Sequence, residues 1–393
     1  MVKKRILVLT PRFPYPPLSG GKQVLLHVAQ SLRDHELTLL SLCNTQEEME
    51  FKPNDGIFTE VHKVYLPKLA SYWQTISSLA GSKPLQLAYY RSSAFRKKVD
   101  ELLPQHDAVI AHLIRSGQYV ADLDHKIPRV LLMSDAISLA YKRLASLPGT
   151  SLLWRLLSRA ELSRLSRYEK NCPDNFDLVW LHSEVDRRFL ELKQKSVRVF
   201  PLGVDLNEFP FKPDTGGNVV AFVGNMSFSL NLDACRHFLR NIFPALRTRA
   251  GLRFRVIGAC TPEIKRELEM HPSVEVTGAV GHIADAVNEV FCGVCPVRAG
   301  SGIQTKILNY LALGIPCVTS DVGLEGLNAV DGHDLLVFRK PDEAVDLILK
   351  LHEDSSLRST IANNGRKYVE KTHDWNTIHA SLSDDIAELF AAK

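Results

Sequence analysis

Short, continuous apolar runs alternate with helical patterns along this chain, and midway the alternation begins again. Residues 4–10, KRILVLT, form a run with no polar interruption, the mark of a strand buried on both faces of a parallel sheet. A Pro/Gly-rich loop follows, PRFPYPPLSGGK, then QVLLHVAQSLRD with apolar residues at helical spacing, then a second strand, HELTLLSLC. Further strands are predicted at DAVIAH (107–112), PRVLLMS (128–134) and FDLVWLHS (176–183), with a long amphipathic helix over about 138–171. After a joint near 200–217 the pattern restarts at NVVAFVGN (218–225), a predicted helix LDACRHFLRNIFPALRTR, strands FRVIG, VEVTGAV, VFCGVCPV and PCVTS, and helices from 341 onward. This order predicts an α/β protein of two doubly wound, Rossmann-like domains facing a cleft. The expected domains are residues 1–203, rejoined by a C-terminal helix at about 374–393, and residues 204–373.

Bulk properties narrow the class. A chain of 393 residues exceeds one ordinary core, and 45% hydrophobic with 23% charged residues excludes disorder and fibrous repeats. No apolar run reaches the roughly 18–20 residues that a membrane span needs. MVKKRILVLT lacks a small-residue cleavage site, so a cytoplasmic protein is expected. The seven cysteines are scattered through apolar segments, which suits reduced thiols. Cys292 and Cys295 form a lone C-x-x-C within a strand and read as core filling.

Charge is uneven. Residues 1–205 carry 29 Lys and Arg against 21 Asp and Glu, a net of +8, and the remainder carries 19 against 23, a net of −4, which together give the +4 of the chain. A basic first half suits anionic lipid or an anionic substrate, or else is an ordinary solvated surface. The segment SLLWRLLSRAELSRLSRYEK places Trp154, Leu157, Leu162 and Leu165 among Arg155, Arg159, Arg164 and Arg167. Such a helix either rests on the inner face of a membrane or packs its leucines on the sheet.

The stretch that carries chemistry is RAGSGIQTKILNYLALGIPCVTS, residues 298–320. It runs from a strand through a glycine turn into a helix, where unpaired amides and the helix dipole favour an anion. The amides around Gly300, Ser301, Gly302 and Ile303, continuing into Gln304 and Thr305, would close on phosphate oxygens, with Arg298 and Lys306 as flanking cations. The first domain has a glycine loop in the equivalent place, where Gly20 and Gly21 admit a ligand close to the backbone or simply turn the chain into its helix. PYPPLSGGK lacks the first glycine and the final Ser/Thr of a Walker A loop. GSGIQT fails the last glycine of a dinucleotide fingerprint.

With LVLTPRFPYPPLSGG, VFPLGVDLNEF, AFVGNM, GSGIQTKILNYLALGIPCVTS and GLEGL, the chain resembles the GT-B glycosyltransferases of family 4, the glycosyl transferases group 1. Within that family FVGNMSFSLNLDA and GIQTKIL look most like bacterial exopolysaccharide-associated sugar transferases. The resemblance implies transfer of a sugar from a nucleotide diphosphate sugar to an acceptor hydroxyl with retention, no cofactor and no metal. Donor contacts are implied at Gly224, Asn225, Gly258, Val280 and Asn309 besides the 300–305 turn, and the acceptor is a glycan or lipid-linked molecule, with no nucleic acid. The N-terminal domain would take the acceptor and the C-terminal domain the nucleotide sugar.

The residues depart from that family's pattern in two places. The two glutamates that bracket the helix fall, counting back from Gly314 and Pro316, on Ser301 and Asn309, and Asn225 and Asn231 stand where relatives place Arg and Lys. Arg298 and Lys306 are then left to carry the positive charge that steadies the leaving diphosphate. His112, ending DAVIAH, is the expected acid/base or acceptor-orienting residue, or a structurally satisfied strand-end histidine. Asp135 would orient an acceptor hydroxyl or cap the helix from 136 onward, and His182, Ser183 and Glu184 are weaker candidates. DLD at 122–124 matches the metal signature of GT-A enzymes but precedes a strand instead of ending one, so no metal is expected there. Two alternatives are a nucleotide-sugar 2-epimerase of the same architecture and a binding module that lost its carboxylates.

Overall fold

The computed structural model describes residues 3–17, 20–123, 127–146, 152–212 and 216–392, with the side chains of 152–156 excepted. Seven strands build the first sheet: β1 (Arg5–Thr10), β2 (Glu36–Cys43), β3 (Glu60–Tyr65), β4 (Ala108–His112), β5 (Arg129–Ser134), β6 (Leu178–Leu181) and β7 (Val197–Val199). Their spatial order is β3-β2-β1-β4-β5-β6-β7, and every pairing is parallel. The second sheet holds β8 (Val219–Val223), β9 (Arg253–Ile257), β10 (Val274–Val276), β11 (Val290–Cys295), β12 (Cys317–Ser320) and β13 (Leu336–Phe338). Its order, β10-β9-β8-β11-β12-β13, repeats the first, again with all pairings parallel.

Two compact units result: Met1–Phe200 with Asn376–Lys393, and Pro201–Trp375. In each, chain order reverses once, between β1 and β4 in the first sheet and between β8 and β11 in the second. At such a reversal the loops leaving two adjacent strands turn to opposite faces and open a crevice at the carboxyl edge. The central strands β1, β4 and β8 are buried along almost their whole length, which is why they read as unbroken apolar runs. The C-terminal helix Trp375–Ala391 is tied into the first unit. Asp385 accepts from Trp180 Nε1 at 2.7 Å and pairs with Arg198, whose Nη2 also meets Glu388 at 2.6 Å.

Several expectations need correction. The stretch 138–171 is two helices, Ile137–Ala145 and Leu152–Asn171. The predicted helix after β8 is also two, Ser229–Asn241 and Phe243–Ala250, the second starting where Pro244 can sit without needing an amide partner. β7 lies just before the joint at 200–217, and β10 covers only three residues of VEVTGAV. Of the basic helix, Leu165 packs in the core while Leu157 is exposed; the side chains of Trp154 and Arg155 lie outside the described residues. Cys292 and Cys295 are both fully buried in β11, as core filling requires.

Candidate functional site

At the reversal of the second sheet, three loops meet. The one leaving β8 holds Gly224 and Asn225, the one leaving β9 holds Gly258, and the one leaving β11 holds Arg298 to Gln304. Gly224 N donates to Ile257 O at 2.9 Å and Met226 N to Ala259 O at 2.8 Å, so the first two loops are laced together by their backbones. A Cβ at Gly258, whose φ is +139°, would lie 2.2 Å from Gly224 O, so nothing larger than glycine fits. Gly258 N in turn donates to Gly278 O at 3.2 Å, which brings the loop carrying Val280 to the same edge.

The β11 loop ends at Gln304, the N-cap of the Thr305–Leu313 helix, and the Gln304 side chain makes no capping hydrogen bond. Gly302 takes a left-handed φ of 66° just before it. The helix is anchored from behind. Tyr310 lies flat on Gly293 of β11, where a Cβ would come within 2.5 Å of the ring, and its hydroxyl accepts from Val223 N at 2.7 Å and donates to Ala221 O at 3.2 Å. From Lys306 to Leu313 every residue is buried except Asn309. Gly314, φ 74°, ends the helix with Phe211 packed where a Cβ would stand.

Lys306 is 7% exposed, its ammonium 5.7 Å above the Phe222 ring. It donates to Gln304 Oε1 at 2.9 Å, and among the described residues no carboxylate pairs with it. A buried cation without a counter-charge is a standing demand for an anion. Arg298 differs from expectation: it is not a free cation. Its Nε and Nη2 grip the two carboxylate oxygens of Asp233 at 3.2 and 2.5 Å, a fork that joins the β11 loop to the Ser229–Asn241 helix across the reversal. Asn225 and Asn231 shape the β8 loop: Ser227 N donates to Asn225 Oδ1 at 2.9 Å and Asn231 Nδ2 to Asn225 O at 3.0 Å. Ser301 lies in the glycine turn, half-buried.

The carboxyl edge of the first sheet gathers a second set of groups. His112 ends β4 beside Thr10 at the end of β1. Thr10 Oγ1 donates to Arg12 O at 2.9 Å and lies 3.3 Å from His112 Nδ1, which leaves the proton on Nδ1 and the lone pair on Nε2. Nε2 is buried without a hydrogen-bond partner among the described residues. Burial, with Arg115, His182 and Arg12 nearby, depresses the imidazole to about 3, so it is neutral at physiological pH. Asp135 follows β5, half-buried, and does not cap the next helix: Ala136 is the N-cap, and Glu169 accepts from Ile137 N and Ser138 N at 2.8 and 3.1 Å instead. His182 follows β6 with burial lowering it to about 4. Ser183 is consumed in capping the helix Glu184–Phe189, and Glu184 meets Arg187 at 3.3 Å.

Sequence reasoning missed Arg12, Tyr90 and Arg115 at this edge. Arg12 Nε donates to Tyr90 Oη at 2.7 Å, and both guanidinium groups lie over the Tyr90 ring, at 5.9 and 5.4 Å. Arg115 further donates to Gln86 Oε1 at 2.8 and 2.6 Å. Burial lowers the Arg115 guanidinium, and the charge of Asp135 acts against that shift. Gly20 opens the Gly20–Ser31 helix, and a Cβ on Gly21 would meet nothing within 4 Å, so the protein itself does not demand glycine there. Of DLD, Asp124 lies outside the described residues, and no group of three or more metal-ligating side chains occurs among the described residues.

Solved structures decide the architecture. Sucrose-phosphate synthase from Thermosynechococcus elongatus superposes with a TM-score of 0.75 at 14% identity, covering 100% of both chains. HepE from Anabaena, solved in complex with UDP-glucose, gives 0.69 at 15% identity over 98% of this chain and 100% of its own. The fold is GT-B. Residues 217–354 of this GT-B chain match the family model for glycosyl transferases group 1, and that stretch carries the β8, β9 and β11 loops. An uncharacterized 44.6 kDa protein in the cps region of Klebsiella pneumoniae is 21% identical over 394 residues, covering 96% of this chain and 98% of that protein. These likenesses support a glycosyltransferase.

Proposed function

We propose that this protein is a retaining glycosyltransferase that moves a sugar from a nucleotide diphosphate sugar to an acceptor hydroxyl, in the assembly of a bacterial surface or exopolysaccharide. One observation carries the reading. The first amides of the Thr305–Leu313 helix, which the Gln304 side chain leaves uncapped, the left-handed Gly302 turn and the buried Lys306, with no carboxylate partner among the described residues, come together at the reversal of the second sheet. As the sugar–phosphate bond breaks, negative charge gathers on the departing diphosphate, and fixed amides with a desolvated ammonium stabilise it without reorganising. Lys306 and the amides supply this without calling on a divalent ion. Arg298 adds its outward edge while Asp233 holds it in place. The UDP-glucose in complex with HepE agrees with this class of ligand.

At the first sheet's carboxyl edge, the Nε2 lone pair of His112 is set to accept a hydrogen bond from the acceptor hydroxyl, and Asp135 to orient it. Asn309, the one position from Lys306 to Leu313 that is not buried, would meet the ribose hydroxyls through its amide rather than a carboxylate. That substitution, with Ser301, supports a second reading: a module that binds nucleotide sugars without transferring them. A panel of nucleotide sugars, scored by thermal stabilisation and then by donor hydrolysis and transfer, separates the two. Stabilisation with turnover and a retained anomeric configuration supports the transferase. Stabilisation without turnover on any acceptor supports the binding module, and no stabilisation by any nucleotide diphosphate sugar overturns both.

A further inference from the structure

The helix Lys68–Ser77 is inside out. Its inward face is polar: Ser71 is its one buried residue, Thr75 Oγ1 donates to Ser71 O at 2.8 Å, and the Gln74 amide, oriented to donate, reaches Arg91 O and Ala88 O at 2.8 and 2.9 Å. Its outward face is apolar. Leu69, Tyr72, Trp73 and Ile76 are exposed by 75, 57, 71 and 55%. The spacing i, i+3, i+4, i+7 puts all four on one stripe. Leu79 extends the stripe past the helix end, where Arg164 of the Leu152–Asn171 helix donates to its carbonyl, and Leu157 of that helix is exposed as well. A large aromatic and aliphatic stripe left open on a folded domain marks a docking surface.

Charge identifies what docks. From Val61 to Val99 the chain holds seven Lys and Arg and no Asp or Glu. Lys68 on the helix itself, and Lys83 and Arg91 behind it, are exposed. A second copy of the chain is a poor occupant, because a two-fold contact would set these cations against themselves. We propose that this stripe docks the protein on an anionic lipid bilayer, the helix lying flat with Leu69, Trp73 and Ile76 below the headgroups and the cations against lipid phosphates. Trp and Tyr favour that boundary, where the ring is sheltered and the polar edge stays wet. Each cation near such a surface adds a favourable, salt-screened increment. The proposed contact is centred on the Lys68–Ser77 helix, beside the Leu152–Asn171 helix that the sequence singled out.

The full chain is incubated with vesicles of phosphatidylglycerol and phosphatidylethanolamine, or of phosphatidylcholine alone, and floated. Binding to the anionic vesicles that weakens with salt is expected, with at least tenfold lower partition for Trp73→Ser/Ile76→Ser and for Lys68→Glu/Lys83→Glu. Both pairs are exposed, so their melting temperatures should match that of the wild type. Trp73→Phe provides an independent readout: the wild type should show a blue shift and bromolipid quenching on anionic vesicles, and Trp73→Phe should still bind while both signals shrink. No flotation of the wild type, flotation indifferent to both double variants, or a concentration-dependent dimer that Trp73→Ser/Ile76→Ser abolishes would each overturn the proposal. The assay contains no sugar donor, so its result is independent of the reaction.

Discussion

Arg298 and Asp233 form a two-pronged ion pair, 3.2 and 2.5 Å, between residues 65 positions apart. The fork fixes a guanidinium beside the Gly300–Gly302 turn but also neutralises part of its charge. If the pair serves the donor, Arg298→Ala lowers kcat/KM at least tenfold, about 1.4 kcal/mol, and weakens nucleoside diphosphate binding. Asp233→Asn leaves the cation in place and lowers kcat/KM less. A pair that merely braced the Ser229–Asn241 helix would give the opposite result: equal, non-additive losses of stability in Arg298→Ala and Asp233→Ala, with diphosphate affinity unchanged.

Lys306 opposes stability to function. Its ammonium is buried over Phe222 with, among the described residues, only the Gln304 amide oxygen for a partner. Lys306→Met keeps the stem and removes a desolvated charge, so the melting temperature of the unliganded protein should hold or rise. Turnover should fall at least tenfold, roughly 1.4 kcal/mol or more. The stabilisation that a nucleoside diphosphate gives the wild type should also shrink, which differential scanning fluorimetry with and without ligand reads directly.

His112 and His182 make the first unit acid-sensitive in a defined window. Burial holds them at about 3 and about 4 in the folded chain. Between those values and the ordinary 6.5 the unfolded chain binds more protons, so stability is lost as pH falls below about 6.5, by up to ~1.4 kcal/mol per pH unit for each histidine. Glu169 acts in the other direction: burial raises it to about 7, so its contribution grows as pH falls from there. Comparing wild type with His112→Asn in urea melts from pH 7 to 4.5 isolates the histidine. The gap between the two should narrow as pH falls, and a constant gap would show that His112 is not held neutral.

The doubly wound architecture was legible because central parallel strands bury both faces, and only unbroken apolar runs such as ILVLT and VVAFV can do that. β7, β10 and β13, at three residues each, are too short for any periodicity, and EVHKVY of β3 alternates like a surface segment. The glycine turn before Thr305 was legible from its spacing. The Asp233 partner of Arg298 was not, since chain separation carries no signal for an ion pair. The Tyr90 cluster draws Arg12 from the loop after β1 and Arg115 from the helix Leu113–Gly117, and escapes a sequence reading for the same reason. The Lys68–Ser77 helix shows a further limit: an apolar stripe has the same spacing whether it faces the core or the solvent.

Two glycines at the candidate site offer a matched test of how tightly its loops are laced. Gly258 and Gly278 both have positive φ, 139° and 77°, and are hydrogen-bonded to each other. A Cβ on Gly278 meets nothing within 4 Å, so Gly278→Ala adds only left-handed strain, about 1–2 kcal/mol. A Cβ on Gly258 would stand 2.2 Å from the backbone oxygen of Gly224, which no rotamer can relieve. Gly258→Ala must therefore push the β8 and β9 loops apart, with a destabilisation of roughly 3 kcal/mol or more, and displace Gly224 and Asn225. Urea melts should rank the variants in that order. At equal folded fraction, Gly258→Ala should raise the KM for the nucleotide sugar while Gly278→Ala leaves it near wild type; equal KM values in the two would show that the Gly224–Gly258 contact shapes no part of the donor site.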